Sequence, residues 1–450
     1  MTYPLVQLVD QPDLAATVRF DFNGDDLRWP DHDSFDLGSP PLLGDPDGVG
    51  SEYGLRALAF RLMIRGGSHA VALALQAQLA RELQRNENWL LFQLSPTAAP
   101  VWFKVYRSSP GAVSLAEVDV DDETGSTWQI GVSLVADPFA YGERVILGPY
   151  TVTNSPSVGV NPMRVTLPDI KGDAPAPLDI WCDGSYYTFG LVALSQVRLP
   201  WKEAEDCTLG TGTTVAALAG ASGGQVATIS FGDTSHTLRL TWDLDVDLAG
   251  DDIRTYLTQH PEVRVVAQVG VGPSVGVYTI QAQAGSVLGD KVTIDLSSRA
   301  PNSTWLVDLG VLSLTTGAAG EAPTDDLPDV ELIVGRTSGT GSLNVDFLLL
   351  VATEQVLTFG AELATSALMT FVDSEREQIV PVTGTIDAPR LRANPPGAAR
   401  GGFPKVHPGE ATELMWIAGS GAFDPVAAIN MAGTADLTLA YRPQHLYLAG

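Results

Sequence analysis

The stretch SLVADPFAYGERVILGP, residues 133–149, divides this chain of 450 residues. A period-two alternation of apolar and polar residues, typical of a strand, leads into it. Asp137-Pro138 then breaks the alternation, and two aromatic residues and a glycine follow before a second apolar run starts at Val145. We therefore expect a first domain to end near residue 145.

The residues before this stretch predict strands and one helix. LAFRLMIRG (residues 58–66) alternates like a half-buried strand, and VWFKVYR (101–107) and STWQIGVSLVA (126–136) predict further strands. The intervening GSHAVALALQAQLARELQR predicts a helix with Ser68 as its N-cap. Apolar residues recur every four positions along one side of this helix and predict its core face: Val71, Leu75, Leu79 and Leu83. Together these elements indicate a helix lying on a mainly antiparallel sheet.

Beyond Val145 the helical period almost vanishes. Short apolar runs such as TLRLTWDLDVD and EVRVVAQVG recur between Gly, Pro, Asn and Ser, which is typical of β-sandwiches. Segments poor in apolar residues near 205 and 354 divide them, and there are enough strands for two sandwiches. The predicted fold class is mainly β with one N-terminal helix: a helix-decorated β-sandwich domain followed by two β-sandwich domains.

The composition excludes several classes of partner. The net charge of −27 repels phosphate backbones and anionic lipid, so we expect neither nucleic acid nor membrane as a partner. The N-terminal residues do not predict a signal peptide, and no run approaches the ~18 apolar residues of a membrane span. We favour free thiols over a disulfide for Cys182 and Cys207.

No catalytic, metal or cofactor site is expected. The six histidines stand in no metal-ligand spacing, and no nucleophile elbow or phosphate-binding loop is present. We interpret GTGTTVAALAGASGG (210–224) as turns. The alternating acids Asp243, Asp245 and Asp247 superficially resemble a calcium-binding loop. An EF-hand loop read from Asp243 would need glycine where Leu248 stands, so the match fails. We therefore favour a solvated strand face over a cation site for these three residues. Paired carboxylates of a glycoside hydrolase stay open as a weaker alternative.

Aromatic residues are the candidates for sugar contact. Trp242, Tyr256 and Tyr278 lie in the region of the sandwiches, where exposed aromatic faces can bind glycan, although buried aromatics are the commoner case. Trp305 alternates with Val307 and Leu309, which predicts that it fills the core. Two further segments stand out: an acidic, Pro/Gly-rich excursion at 21–53, and a basic, Pro/Gly-rich loop at 387–410.

ADPFAYGE (136–143) resembles the end of the N-terminal domain in distal tail proteins and related minor tail proteins of long-tailed phages, particularly those of actinobacteria. The residues that carry this junction motif are Asp137, Pro138, Phe139, Tyr141 and Gly142. The strand–turn–helix at 55–84 is similar to that family, as are 150–180 and the final segments 401–421 and 435–448. Glu410 stands where the family usually has Asn soon after its Pro-Gly turn. STWLVDLGVLSL and SLNVDFLLLVA resemble the last strands of carbohydrate-binding-module-like jelly rolls.

This resemblance implies three domains and a structural function. The domains would be a ring-forming belt (1–145), a galectin-like sandwich in two segments (146–206 and 352–450), and an inserted jelly roll (207–351). The implied protein is a virion component of the phage tail tip, synthesised in the host cytoplasm and not an enzyme. A homo-hexameric ring would join the tail tube protein to hub or baseplate proteins, with outward sandwiches available for host or fibre contacts. Carbohydrate binding to host cell wall is the alternative main role.

Overall fold

The computed structural model describes most of the chain. The described residues are 4–24, 27–28, 35–37, 42–43, 52–64, 69–115, 128–153, 164–183, 189–195, 199–248, 251–270, 275–297, 304–315, 327–360, 369–385, 388–391, 398–409, 412–420, 426–429 and 434–446. They divide into two compact units: unit 1 consists of Met1–Val145, Lys171–Ala176 and Arg442–Gly450, and unit 2 consists of Ile146–Ile170 and Pro177–Tyr441.

The strands that precede unit 2 are short, and a helix follows the seventh of them. In chain order they are β1 (Leu5–Val9), β2 (Val18–Asp21), β3 (Leu27–Arg28), β4 (Phe35–Asp36), β5 (Leu42–Leu43), β6 (Glu52–Tyr53), β7 (Arg56–Ile64), the helix α1 (His69–Leu83), β8 (Asn88–Gln93), β9 (Val101–Val105), β10 (Val113–Leu115), β11 (Trp128–Ala136) and β12 (Ala140–Tyr141).

Most described strands of unit 1 form one antiparallel sheet with α1 packed against it, and β5 pairs separately with β6. The strand order is β2-β1-β8-β9-β11-β7-β3, and alternate residues of β7 and β11 are buried, as the period-two pattern predicts. On α1 the buried residues are Ala72, Leu79 and Leu83, with Leu75 partly buried against the same core. Val71 was predicted on this face but is 42% exposed, since it lies about 100° from the buried stripe. Ser68 lies outside the described residues.

The sheet of unit 1 is covered on both sides near β9. Phe103 and Val105 point into the core shared with α1. Trp102 belongs instead to a second cluster with Val9, Trp89 and Leu91 on the opposite face. Successive side chains of β9 therefore lie on opposite faces of the sheet, and both faces contain buried aromatics.

Unit 2 contains most of the remaining strands. They are β13 (Val145–Thr153), β14 (Arg164–Leu167), β15 (Ala176–Asp183), β16 (Phe189–Ser195), β17 (Trp201–Glu203), β18 (Thr208–Leu209), β19 (Thr213–Ala217), β20 (Gln225–Ile229), β21 (Thr237–Trp242), β22 (Glu262–Val269), β23 (Val277–Ala284), β24 (Val287–Leu288), β25 (Val292–Asp295), β26 (Thr304–Ser313), β27 (Val330–Ser338), β28 (Leu343–Ala352), β29 (Val356–Gly360), β30 (Met369–Asp373), β31 (Gln378–Thr385), β32 (Ala388–Leu391), β33 (Ala398–Gly401), β34 (Lys405–Val406), β35 (Thr412–Ser420), β36 (Val426–Ile429) and β37 (Thr434–Tyr441); β38 (Gln444–His445) returns to unit 1.

The described residues of unit 2 form three sheets. One has the order β13-β37-β15-β30-β31-β32, a second has β18-β21-β27-β23-β24, and the long third has β19-β20-β28-β22-β26-β36-β35-β16-β29-β33. The second and third sheets enclose a large apolar core that includes Trp305, as predicted. Pairing of β26 with β36 makes the third sheet continuous from 213–352 into 356–429. Because the two predicted sandwiches share this sheet, the domain boundaries at 207 and 351 stay a prediction.

Two short helices lie in the region where strands were expected. Asp243, Asp245 and Asp247 do not line a strand, because Asp243 caps α2 (Leu244–Asp247) by accepting the N–H of Val246 at 2.9 Å. Asp251 caps α3 (Asp252–Gln259) in the same way through Ile253 N–H at 3.0 Å. The buried residues of α3 are Ile253, Tyr256 and Leu257, a spacing of i, i+3, i+4 that the strand-rich surroundings concealed.

Two segments predicted as irregular contain strands. The glycine-rich run 210–224 includes β19 and a 3-10 turn at Ser222–Gly224, and the basic loop 387–410 includes β32, β33 and β34. The fold class itself, mainly β and sandwich-like, is confirmed. Among the described helices, none is long and apolar enough to cross a membrane.

Candidate functional site

The junction motif is a contact centre inside unit 1. Strand β11 ends at Ala136, where Asp137 N–H still donates to Lys104 O at 3.0 Å before Pro138 interrupts the ladder. The Asp137 carboxylate then accepts the hydroxyls of Tyr106 at 2.6 Å and Tyr141 at 2.9 Å. The hydrogen bond to Asp137, with burial and the carboxylate charge, raises the pKa of Tyr106 to about 12.

A buried arginine ties this junction to the end of the chain. Arg56 is only 2% exposed, and its Nε donates to Pro138 O at 3.1 Å while Nη2 donates to Leu446 O at 2.6 Å. Its guanidinium carbon lies 5.4 Å from the ring centroid of Phe103. Burial lowers the Arg56 pKa, an effect that the charge of Asp173 opposes. Arg56 therefore depends on carbonyl acceptors from two distant parts of the sequence.

The remaining motif residues complete the same centre. Gly142 N–H donates to Pro443 O at 2.7 Å, and a Cβ at Gly142 would lie 3.3 Å from the Pro443 side chain. Tyr141 packs edge-on against Trp89 at 5.3 Å between ring centroids, and Phe139 packs against Tyr53 at 6.0 Å. All five motif residues thus serve cohesion of unit 1, with no arrangement that suggests chemistry.

A polar pocket lies in unit 2. Its volume is about 580 Å³, and it is lined by Arg164, Thr166, Trp201, Lys202, Glu203, Asp206 and Glu413. Strand β14 contributes the first two residues, and β17 with the 3-10 turn after it contributes the next four. Trp201 is 6% exposed because its ring stacks on Phe347, with the ring centroids 3.5 Å apart.

The charged groups of the pocket are partly neutralised. Arg164 Nη1 lies 3.5 Å from Glu413 Oε1, and its guanidinium carbon lies 5.0 Å from the Trp201 ring centroid. Glu413 Oε2 also accepts the N–H of Leu199 at 2.6 Å. Lys202 Nζ pairs with Asp247 Oδ2 at 3.0 Å. Trp201 Nε1 and Glu203 Oε2 are both buried, and the indole N–H lies close enough to the Glu203 carboxylate to act on its pKa.

Behind the pocket, three carboxyl groups surround the turn at Ser222–Gly224. Asp346 is fully buried and accepts Ser222 N–H at 3.0 Å and Gln268 Nε2 at 2.5 Å. Glu203 Oε1 accepts Ser222 Oγ–H at 2.7 Å. Gly223 has φ +62, and a Cβ there would lie 3.2 Å from Glu205 Oε1, so a glycine suits this close approach.

Burial raises the pKa of all three carboxyl groups. The pKa of Asp346 rises to about 8 and that of Glu205 to about 7, chiefly by desolvation, and neighbouring carboxylates add to both shifts. Burial also raises the pKa of Glu203, against hydrogen bonding from Ser222 and Trp201 and the charge of Arg164. No group of three or more His, Cys, Asp or Glu side chains among the described residues is arranged to hold a metal ion.

The aromatic residues predicted to contact glycan are buried. Trp242 is 1% exposed, Tyr256 3% and Tyr278 0%, and all three belong to the apolar core of unit 2. That prediction is wrong, because side chains that fill a core present no face to a ligand. The pocket was missed: its signal in the sequence is LPWKEAED (199–206), where an aromatic stands among three acids, but the segment was interpreted only as a break between domains. Cys182 and Cys207 are both free and buried.

No protein-family model matches this chain, and no curated protein matches it. Among solved structures, the SPP1 Dit (gp 19.1) protein, described as a paradigm of the hub adsorption apparatus in phages that infect Gram-positive bacteria, is similar at 10% identity and TM-score 0.30, over 98% of each chain. Two structures of the phage p2 baseplate in its activated conformation match at 8% identity, over 78% of this chain and 98% of theirs, with TM-scores of 0.18 and 0.17. These three structures are of phage hub and baseplate proteins.

Proposed function

We propose that this chain is a structural, non-enzymatic component of a phage tail tip. Six copies form a closed ring that joins the tail tube protein to hub or baseplate proteins. The protein is made in the host cytoplasm and ends in the virion. It neither binds nucleic acid nor enters a membrane, in keeping with its net charge of −27.

The observation that carries this proposal is the order of the resembling segments. The strand–turn–helix, the junction motif and the closing strands occur in the order of the family pattern. The hydrogen bonds of the junction add support. Asp137 accepts from Tyr141, and the buried Arg56 donates to Pro138 O, so the motif residues hold unit 1 together. A motif that anchors the first unit suits a scaffold better than it suits a catalyst.

The exposed side of α1 supports contact between copies. Leu73 is 47% exposed and Val71 42% exposed, and Ala70, Ala74 and Ala77 are exposed along the same helix. Apolar residues grouped in this way are typical of interaction surfaces. A ring closed by heterologous contacts would cover the same surface on every copy and leave no end for further growth.

The sandwiches of unit 2 would point outward for host or fibre contacts, with the boundaries proposed above. The basic segment at 390–405 would meet an acidic surface on a neighbouring subunit, since the rest of the chain is strongly acidic.

Mass and symmetry of the purified protein test the ring. We expect a six-copy species in analytical ultracentrifugation and six-fold averages in electron micrographs of tail tips. Leu73→Asp should shift the mass to the monomer without unfolding, because the side chain lies on the surface. Leu288→Asp is the matched control, since Leu288 is 55% exposed in unit 2. A monomeric wild type without affinity for tail tubes, or equal loss in both variants, contradicts the proposal.

Carbohydrate binding at the host surface is the second candidate function. The polar pocket of unit 2 favours it, because it is lined by polar and charged side chains together with Trp201. Incubating the purified protein with host cell wall distinguishes a glycoside hydrolase from the structural and the carbohydrate-binding functions. We expect no reducing sugar to be released, and release that a Glu203→Gln variant abolished would contradict the non-enzymatic proposal.

A further inference from the structure

The sheet of unit 1 has one face that α1 does not cover. Strands β7 and β11 pair along their whole length, and alternate residues of both strands point into the core beneath α1. The residues between them lie on the opposite face and are exposed or half-buried. We call this set the bare face, and it consists of Ala57, Ala59, Arg61, Met63, Gln129, Gly131, Ser133 and Val135.

The bare face suits the close approach of a second protein surface. Most of its side chains are small or uncharged, and Arg61 is the one charged residue among them. A Cβ placed on Gly131 would meet no atom within 4 Å, so the space above this part of β11 is open. Asp36 of β4, the cross-strand neighbour of Ala59, lies at the border. The bare face is therefore a shallow surface that carries no acid of its own.

The side of α1 that points away from the core has matching properties. At about 100° per residue, a line of small exposed residues lies opposite the buried stripe of the helix. This line consists of Ala70, Ala74 and Ala77. Val71 and Leu73 flank it on its two sides. The one acid of α1 is Glu82 in the last turn, and it is paired with Arg85.

Charge and layer geometry favour a second copy as the occupant of the bare face. Copies with a net charge of −27 repel one another, so they meet best where acids are few, as on both of these surfaces. The same strands already bind α1 of their own chain on one face, and helices on both faces of a sheet form a stable layered arrangement. The 15 residues of α1 span about 22 Å, which fits within the nine-residue strands β7 and β11 of about 30 Å.

We propose that the outward side of α1 in one copy packs on the bare face of the next copy. This inference rests on the proposed ring and names the two surfaces that would form it. Because the two surfaces differ and lie on opposite sides of the sheet of unit 1, the contact is heterologous. Contacts of that type can close into a ring, whereas a self-complementary contact ends at a dimer.

Complementation between two variants of the full-length protein tests the contact. Leu73→Asp places an acid on the outward side of α1, and Ser133→Asp places one on the bare face; both positions are exposed. Each variant alone should sediment as a monomer instead of a six-copy ring. Mixed in equal amounts, they should form a two-copy species, because the intact bare face of the first variant can bind the intact α1 of the second.

Thr293→Asp, an exposed change on β25 of unit 2, is the matched control and should keep the six-copy mass. Circular dichroism and thermal denaturation check that the variants fold. Cross-linking gives a second measurement with smaller changes. A chain with both Ala74→Cys and Ser133→Cys should give a covalent ladder of up to six copies with a short bismaleimide, and either change alone should not. The native Cys182 and Cys207 are buried.

The outcomes separate this contact from the ring itself. A six-copy ring of Ser133→Asp overturns the proposed contact and leaves the ring standing. A mixture of two folded variants that stays monomeric also overturns it. A covalent ladder from Ala74→Cys alone would do the same, because it would indicate α1 packed against α1. A monomeric wild type contradicts the proposed ring, and this contact with it.

Discussion

The Asp137 carboxylate accepts hydrogen bonds from two tyrosine hydroxyls at the end of β11. Replacing Asp137 should therefore weaken both hydrogen bonds. Replacing Asp137 by Asn removes the charge from these hydrogen bonds and should cost about 1–3 kcal/mol in the free energy of unfolding. The pKa of Tyr106 should fall from about 12 towards its usual value, because the carboxylate is the main cause of the shift. Chemical denaturation and the absorbance of tyrosinate during an alkaline titration measure the two effects.

Tyr106→Phe is the matched control, since it removes one of the two hydroxyls and leaves Asp137 charged. It should lower the free energy of unfolding by less than Asp137→Asn does. It should also remove the high-pKa tyrosine from the alkaline titration. Equal stability of the wild type and Asp137→Asn would show that the junction motif does not hold unit 1 together.

Asp346 makes stability depend on pH in a direction opposite to that of most carboxylates. Its pKa in the folded state is about 8, above the unfolded value near 4, so the native state keeps a proton that the unfolded state loses. Stability is therefore fully present below about pH 4 and falls as pH rises to about 8. Glu205, with a pKa of about 7, adds to the same decline.

Asp346→Asn should flatten this decline, since the amide oxygen can still accept from Ser222 N–H and cannot ionise. Urea denaturation of unit 2 at pH 5.5 and pH 8.5 measures it, and we expect the wild type to lose about 1–3 kcal/mol more than the variant over this range. Asp295→Asn, an exposed change on β25, is the control. Identical pH dependence of the wild type and Asp346→Asn would contradict the assignment.

At the scale of elements, α1 offers the sharpest test of the fold of unit 1. Leu79 is fully buried, and Leu79→Asp would place a carboxylate without a partner in the core. We expect this variant to lose unit 1 altogether, a cost above about 3 kcal/mol. Gln78→Asp introduces the same charge at an exposed position of the helix that is not among the apolar residues of the proposed contact surface, and it should change stability by less than about 1 kcal/mol. Circular dichroism and thermal denaturation distinguish the two, and equal effects would mean that α1 does not pack as described.

Elements whose pattern is local were predictable. The strands β7 and β11 and the helix α1 follow from residue periods of two and about four, and the β-rich remainder follows from short apolar runs between turn residues. Helices α2 and α3 were not found, because their caps Asp243 and Asp251 resemble solvated acids of a strand until the N–H groups they accept are known. Only the local part of the pocket, LPWKEAED (199–206), was open to prediction, since Arg164 and Glu413 come next to Trp201 from distant parts of the sequence.

At the scale of the whole molecule, the net charge of −27 should govern association. Copies of so acidic a chain repel one another, and salt screens that repulsion over a Debye length of about 10 Å at 0.1 M. We expect the ring to form more completely at 150 mM NaCl than at 20 mM, as measured by sedimentation. If the proposed contact of the basic segment at 390–405 outweighs this repulsion, the ring will instead weaken with salt, which would show that net charge does not govern association.

The hydrogen bond from Arg56 to Leu446 O spans almost the full length of the polypeptide. During synthesis, the guanidinium lacks this acceptor until Leu446 has left the ribosome. In a nascent chain the hydrogen bonding of Arg56 is therefore incomplete. Arg56 belongs to unit 1, which is the unit proposed to contact neighbouring copies. We therefore expect products that stop before Leu446, which lack this acceptor, to be excluded from the proposed ring.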